Sequence, residues 1–213
     1  GQAAGYYNTT GSGNVFVGDL AGAYNSTGTG NTLIGHNSGI NNTLGGYNTY
    51  LGIYSGHSNT SGERNVFIGS KAGYNELGSD KLYIDNSDTS TPLIYGDFSL
   101  NRLGINTNTF PEGYTLAVGG NIAAEEVKVS LRASDGTWPD YVFKEGYNLM
   151  SLEELKTFVE TNKHLPNVKS EAEFKEEGSI SLTEMNLKLL EKVEELTLYI
   201  LDLQSQIDEI KIK

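Results

Sequence analysis

Cysteine is absent from this chain of 213 residues. It therefore has no disulfide and no thiolate metal site, and stability must come from β stacking or oligomerisation. Proline is scarce, with 4 residues, which argues against a proline-rich linker. Basic residues are few, 15 Lys and Arg against 27 Asp and Glu, for a net charge of −12. No basic patch is present to meet phosphates, so nucleic acid and anionic membrane surfaces are poor partners. No apolar run approaches the length of a membrane span, so no membrane insertion is expected.

Glycine, by contrast, is abundant at 26 residues, and its spacing is regular. Gly18, Gly35, Gly52 and Gly69 share a step of 17, as do Gly22, Gly39, Gly56 and Gly73. Asn14, Asn31, Asn48 and Asn65 keep the same step. The residues after each Asn read Val15-Phe16-Val17, Thr32-Leu33-Ile34, Thr49-Tyr50-Leu51 and Val66-Phe67-Ile68. One step further back lie Gly1, Gly5, Asn8 and Gly11, so the chain opens inside a repeat and reads as the end of something longer. A strict period this short predicts a wound or stacked β architecture. The second strand position is always large and the third always aliphatic. Adjacent strand residues point to opposite faces, so both faces are expected to be buried. One fills the interior of a coil; the other calls for a neighbour, most simply another copy of the chain. The Gly residues suit corners that need positive φ, and the Asn residues suit stacked side-chain ladders.

Four segments follow from composition. Residues 1–79 are the repeats, whose charged side chains balance to −1 and leave −11 for the rest. Residues 80–127 hold short strand-like runs at Leu82-Tyr83-Ile84, Leu93-Ile94-Tyr95, Arg102-Leu103-Gly104-Ile105 and Tyr114-Thr115-Leu116-Ala117-Val118. Turn-forming clusters separate them. They are too few to enclose a core alone and read as one third of a shared β-prism. Residues 128–180 read as a small α+β insert. Its aromatic run is Trp138-Pro139-Asp140-Tyr141-Val142-Phe143. Capping boxes at Ser151/Glu154, Ser170/Glu173 and Ser181/Glu184 predict three helix starts, with ends near Asn162 and Gly178 for the first two.

The third helix, in residues 181–213, carries heptads. Leu182, Leu189, Leu196, Leu203 and Ile210 form the d series, and Asn186, Val193, Ile200 and Ile207 the a series. About 30 helical residues span on the order of 45 Å. Val and Ile at a with Leu at d lean toward a parallel dimer, with Asn186 a polar register-setting residue. Leu187, Leu190, Leu198 and Leu201 add a second apolar flank, which suits three strands or packing on the preceding insert. Periodicity alone leaves the chain number open.

Several stretches carry a family likeness. They are Leu82-Tyr83-Ile84-Asp85-Asn86, Tyr114-Thr115-Leu116-Ala117-Val118-Gly119-Gly120-Asn121-Ile122, the Trp138–Phe143 run, Asn162-Lys163-His164-Leu165-Pro166, and Leu189 to Tyr199. Together they resemble the C-terminal region of bacterial tail-fibre-like and surface proteins, and the repeats resemble those of trimeric adhesin heads and fibre shafts. The resemblance implies a homotrimer: a trimeric β-roll or solenoid and β-prism, a chaperone-like insert, and a parallel trimeric coiled coil. Some relatives of this plan cleave themselves through a Ser-Asp-x-x-x-Lys opening. Here Ser134-Asp135 is followed by Gly136-Thr137-Trp138, so self-cleavage is not expected.

Signals for chemistry are sparse. Asp85, Asp88 and Asp97 offer carboxylates, but their setting is that of turns at strand ends. His36, His57 and His164 share no ligand spacing, and His36 and His57 are 21 apart rather than 17. No metal or cofactor is expected. The leading expectation is a non-enzymatic, extracellular fibre or adhesin tip that mediates attachment. A fibre-borne glycan hydrolase or lyase, and a purely structural appendage subunit, are the alternatives. Ligand contact would fall to exposed Tyr6, Tyr7, Tyr24, Tyr47 and Tyr74 stacking on a glycan; the same rings suit packing equally.

Overall fold

The computed structural model describes residues 1–129 and 138–212. The chain forms two compact units, Gly1–Ala124 and Glu125–Lys213. The first is a β-solenoid and the second is helical.

The solenoid carries one eight-stranded sheet in chain order. Its strands are β1 (Val15–Val17), β2 (Thr32–Ile34), β3 (Thr49–Leu51), β4 (Val66–Ile68), β5 (Lys81–Ile84), β6 (Ile94–Asp97), β7 (Arg102–Ile105) and β8 (Leu116–Val118). β1 to β5 run parallel, each turn laid in register on the last. Phe16, Leu33, Tyr50 and Phe67 form one column at a step of 17, and Tyr83 joins it after a step of 16. β5, β6 and β7 then pair antiparallel, and β8 returns parallel to β7. The sheet thus crosses residue 79 without a break.

The middle residue of each strand points inward. Leu33, Tyr50 and Phe67 are fully buried, with Tyr83 and Ala72 beside them and Phe16 and Tyr95 packed against the cluster. The rings of Tyr50 and Phe67 stack at 4.7 Å, and Phe67 meets Tyr83 edge-on at 5.4 Å. Glycine holds the corners for two reasons. At Gly35, φ is +135° and a Cβ would lie 2.4 Å from the carbonyl oxygen of Gly52 on the next turn. At Gly56, φ is +60° and a Cβ would lie 2.4 Å from the Tyr50 ring. The first position lets turns stack at strand spacing; the second lets the far wall close on the core.

Asparagine lines much of the remaining interior in two ladders, alongside buried Ala21, Ala23, Ser38 and Ser55. Asn31, Asn48 and Asn65 each accept no open space: their side-chain amides donate to Gly45, Gly62 and Gly78 carbonyls at 2.8 Å. Their Oδ1 atoms accept from the backbone of Asn48, Asn65 and Lys81 on the following turn, at 2.9–3.0 Å. In the second ladder Asn42 donates to Asn25 at 2.9 Å, and Asn25 to Asn8 at 3.2 Å. Each buried amide thereby satisfies corner carbonyls that the sheet leaves unpaired.

The first helix described in the second unit is a 3-10 helix, Pro139–Phe143. α1 (Leu152–Asn162) and α2 (Glu171–Glu177) open on complete capping boxes at Ser151/Glu154 and Ser170/Glu173. α1 ends on Lys163 and α2 on Gly178, both left-handed. α3 (Leu182–Ile212) runs for 31 residues, and Ser181 Oγ accepts from the Glu184 backbone at its start. Of the expected α+β insert, the described residues 138–180 hold the 3-10 helix, α1 and α2 and no strand. Its aromatic run begins with Pro139 in the first turn of the 3-10 helix, where a missing N–H costs nothing. Ser134 to Thr137, which bear on self-cleavage, lie outside the described residues.

Candidate functional site

Three surfaces stand out, and each follows from the periodicity that built it. The first is the outer face of the solenoid sheet. With the middle strand residue turned inward, its neighbours turn outward. Val15 and Val17 are 48% and 52% exposed, and Leu51 is also open. Ile34, Val66, Ile68, Leu82 and Ile84 are half-buried on the same face. Exposed Leu103, Ile105 and Leu116 carry the strip to the end of the sheet. A single chain buries one strand face, and the face read as calling for a neighbour is turned outward. The strand residues on this face are uncharged along the whole sheet.

The second surface is the seam of α3. Leu182, Leu189, Val193, Leu196, Ile200, Leu203, Ile207 and Ile210 are all exposed, and so is Asn186. The opposite side of the helix packs on its own unit. Tyr141 donates to Glu191 at 2.8 Å, Tyr147 to Glu195 at 2.6 Å, and Tyr199 to the Met150 carbonyl at 2.6 Å. Lys188 and Lys192 close an ion network with Glu191 and Glu195. Burial alone would push the Glu191 carboxyl up. Hydrogen bonds from Lys188, Tyr141 and Lys192 outweigh it and hold the group at about 2. Burial and the Glu191 bond push Tyr141 up to about 12. So a helix that is apolar and polar in alternating stripes uses its polar stripe within the chain and leaves the heptad stripe free. An apolar cavity of about 260 Å³ sits at the head of the seam, lined by Leu182, Asn186, Leu187, Leu190, Val129 and Trp138.

The third surface is aromatic and lies on the repeats. Of the five tyrosines read as ligand contacts, Tyr6, Tyr7 and Tyr24 come together. Tyr7 and Tyr24 stack at 5.1 Å with 6° between planes, and Tyr6 meets Tyr7 edge-on at 4.8 Å. Tyr47 stands apart, exposed and left-handed at φ +59°, with no ring partner among the described residues. Tyr74 lies in a second cluster that sequence reading missed. It stacks on His57 at 4.5 Å, and Tyr54 bridges His57 and His36 at 5.7 and 5.6 Å. The signal was the step from His57 to Tyr74, which is 17; comparing histidine only with histidine hid it. Partial burial lowers the His57 pKa, which keeps the ring neutral near pH 7. A groove of about 380 Å³ opens beside Tyr24, lined also by Asn41, Thr43, Ser58 and Thr60.

Of the candidate carboxylates, Asp85 and Asp97 hold turns, while Asp88 lies 3.8 Å from Lys71. Asp85 accepts from Ser87 and from the Leu93 backbone, at 2.8 and 2.7 Å. Asp97 accepts from Lys81 and Ser99, both at 2.6 Å. No group of three or more metal-ligating side chains occurs among the described residues. No helix among them is long and apolar enough to cross a membrane. No protein-family model, no curated protein and no solved structure matches the chain.

Proposed function

We propose that the chain is a non-enzymatic, homotrimeric fibre or adhesin tip that acts outside the cell or particle bearing it and mediates attachment. The observation that carries this reading is the free heptad seam of α3. An amphipathic helix normally turns its apolar stripe to its own core. Here the side of the helix that meets its own chain is built of Glu191, Lys192, Glu194 and Tyr199, while eight aliphatic a and d residues face outward. Such a stripe is the recognition code for like helices. The uncharged outer face of the sheet supports the same reading, because it offers a second copy a long, largely apolar surface on which Thr32 and Thr49 are the polar residues of β2 and β3. Work on the surrounding surface is then mechanical: the coil projects, and the helix sets chain number and register. Attachment falls to the aromatic clusters of the repeats.

The test is removal of residues 182–213 from the full chain. The shortened protein is expected to keep the β signal of the solenoid in circular dichroism and to lose its oligomer. Fluorescently labelled full-length protein is expected to bind intact cells, and the shortened protein to bind them far more weakly through loss of multivalency. An oligomer that survives the truncation unchanged contradicts the assembly half; full-length protein that binds no cell surface contradicts the attachment half.

A further inference from the structure

We propose that the groove beside Tyr24 binds the rings of a neutral oligosaccharide; this rests on the attachment reading and names its ligand class. The turns of the coil stack in order, and that order fixes the geometry. Tyr7, one turn before Tyr24, covers one face of the Tyr24 ring at 5.1 Å. The other lining residues, Asn41, Thr43, Ser58 and Thr60, belong to the two turns after it. The groove therefore opens on the free face of the ring, about two turns or 10 Å long at the spacing of stacked strands.

A pyranose needs two things from a protein: a flat π face for its C–H face and a rim of mixed donors and acceptors for its hydroxyls. Tyr24 supplies the first. Its rim supplies the second with capacity left over. Asn41 donates to the His57 carbonyl at 3.0 Å, and its Oδ1 has no partner among the described residues. Thr43 donates to the Thr60 carbonyl at 3.0 Å, which leaves its oxygen free to accept. None of the five lining residues is charged. A carboxylated or sulfated sugar would lose water there without gaining a counter-charge, so the ligand is neutral.

The groove also stays open in an assembly. Gly22, two residues before Tyr24, faces the Phe16 ring from across the core, where a Cβ would lie 2.6 Å from it. Tyr24 thus sits on the wall opposite the sheet, and copies that meet through the sheet leave it in solvent. Tyr24 is 47% exposed.

The experiment is calorimetric titration of the full chain with hexasaccharides of β-1,4-glucan, β-1,3-glucan, α-1,4-glucan and α-1,6-mannan, and with a hyaluronan hexasaccharide as the anionic probe. At least one neutral probe is expected to bind. Tyr24→Ala is expected to weaken it about tenfold or more, a loss of the size of one aromatic contact. Thr43→Val is expected to weaken it less, and Tyr114→Ala, at an exposed tyrosine outside the groove, to leave it unchanged. Binding of no neutral probe, preference for hyaluronan, or indifference to Tyr24→Ala overturns the proposal. The cell-binding assay separates the two readings. Cells bound equally by wild type and Tyr24→Ala, with no probe bound, sink the groove and leave attachment standing. A probe bound through Tyr24, with no cell bound, sinks attachment and leaves the groove.

Discussion

Single residues decide which surface is interior and which is shared. Leu33 and Ile34 are adjacent and both aliphatic, yet Leu33 is fully buried and Ile34 lies on the outer sheet face. Leu33→Asp places an unpaired charge in the core, at a cost of several kcal/mol or a forced neutralisation. It is expected to abolish the β signal. Ile34→Asp is expected to keep that signal and the melting transition of the single chain while weakening association of copies. Circular dichroism with native mass measurement checks both. An unfolded Ile34→Asp protein contradicts the assignment of faces. The sequence alone showed that both faces are apolar, but the pattern is symmetrical and does not say which one turns in. Corner geometry decides, because Gly22, Gly39, Gly56 and Gly73 press against the middle side chain. The asparagine ladders were legible for a clearer reason. A buried amide repeated at the period of the coil has its own copy as its nearest polar neighbour. The ladder ends where the code ends: Lys81 occupies the next rung, receives the Asn65 bond through its backbone, and turns its amine to Asp97.

At the scale of elements, the helices were read well where short-range chemistry sets them. Ser151, Ser170 and Gly178 mark ends that the structure repeats. The strands after residue 79 were located but not their partners. The step shortens to 16 and the Asn disappears, so nothing local announces that β5 continues the same sheet. α3 carries two predictions. Its packed side depends on an ionised Glu191. The folded-state pKa of about 2 lies below that of an unfolded Glu, near 4.3. The unfolded chain therefore binds more protons between these values, and stability rises with pH across that window. The contribution is fully present above about pH 4.3 and is lost as pH falls toward 2. The helical unit is expected to melt at lower temperature as pH drops through this range, and Glu191→Gln to flatten the profile. A wild-type profile already flat from pH 5 to 2.5 contradicts the network's role. Its free side depends on Asn186, exposed at an a position among Leu182, Leu187 and Leu190. A polar residue there sets register at a cost in stability. Asn186→Ile is expected to raise the melting temperature and to allow mixed oligomer states. A lower melting temperature with one uniform oligomer contradicts its place in the seam.

At the scale of the whole molecule, the account joins two apolar surfaces that one chain leaves uncovered. The heptads were legible because a 3.5-residue repeat has few other uses over four heptads. Chain number was not, because Val and Ile at a with Leu at d favour two strands while the flanking leucines suit three. Most of the flank has another duty: Leu187, Leu190 and Leu198 are half-buried, and the side of α3 they adjoin packs on the 3-10 helix segment, while Leu201 is exposed. The proposed trimer would cover the β surface as well as the helical seam. Native mass measurement of the full chain at micromolar concentration tests that claim most directly. The account predicts a single species of three copies. A folded, monodisperse monomer contradicts it.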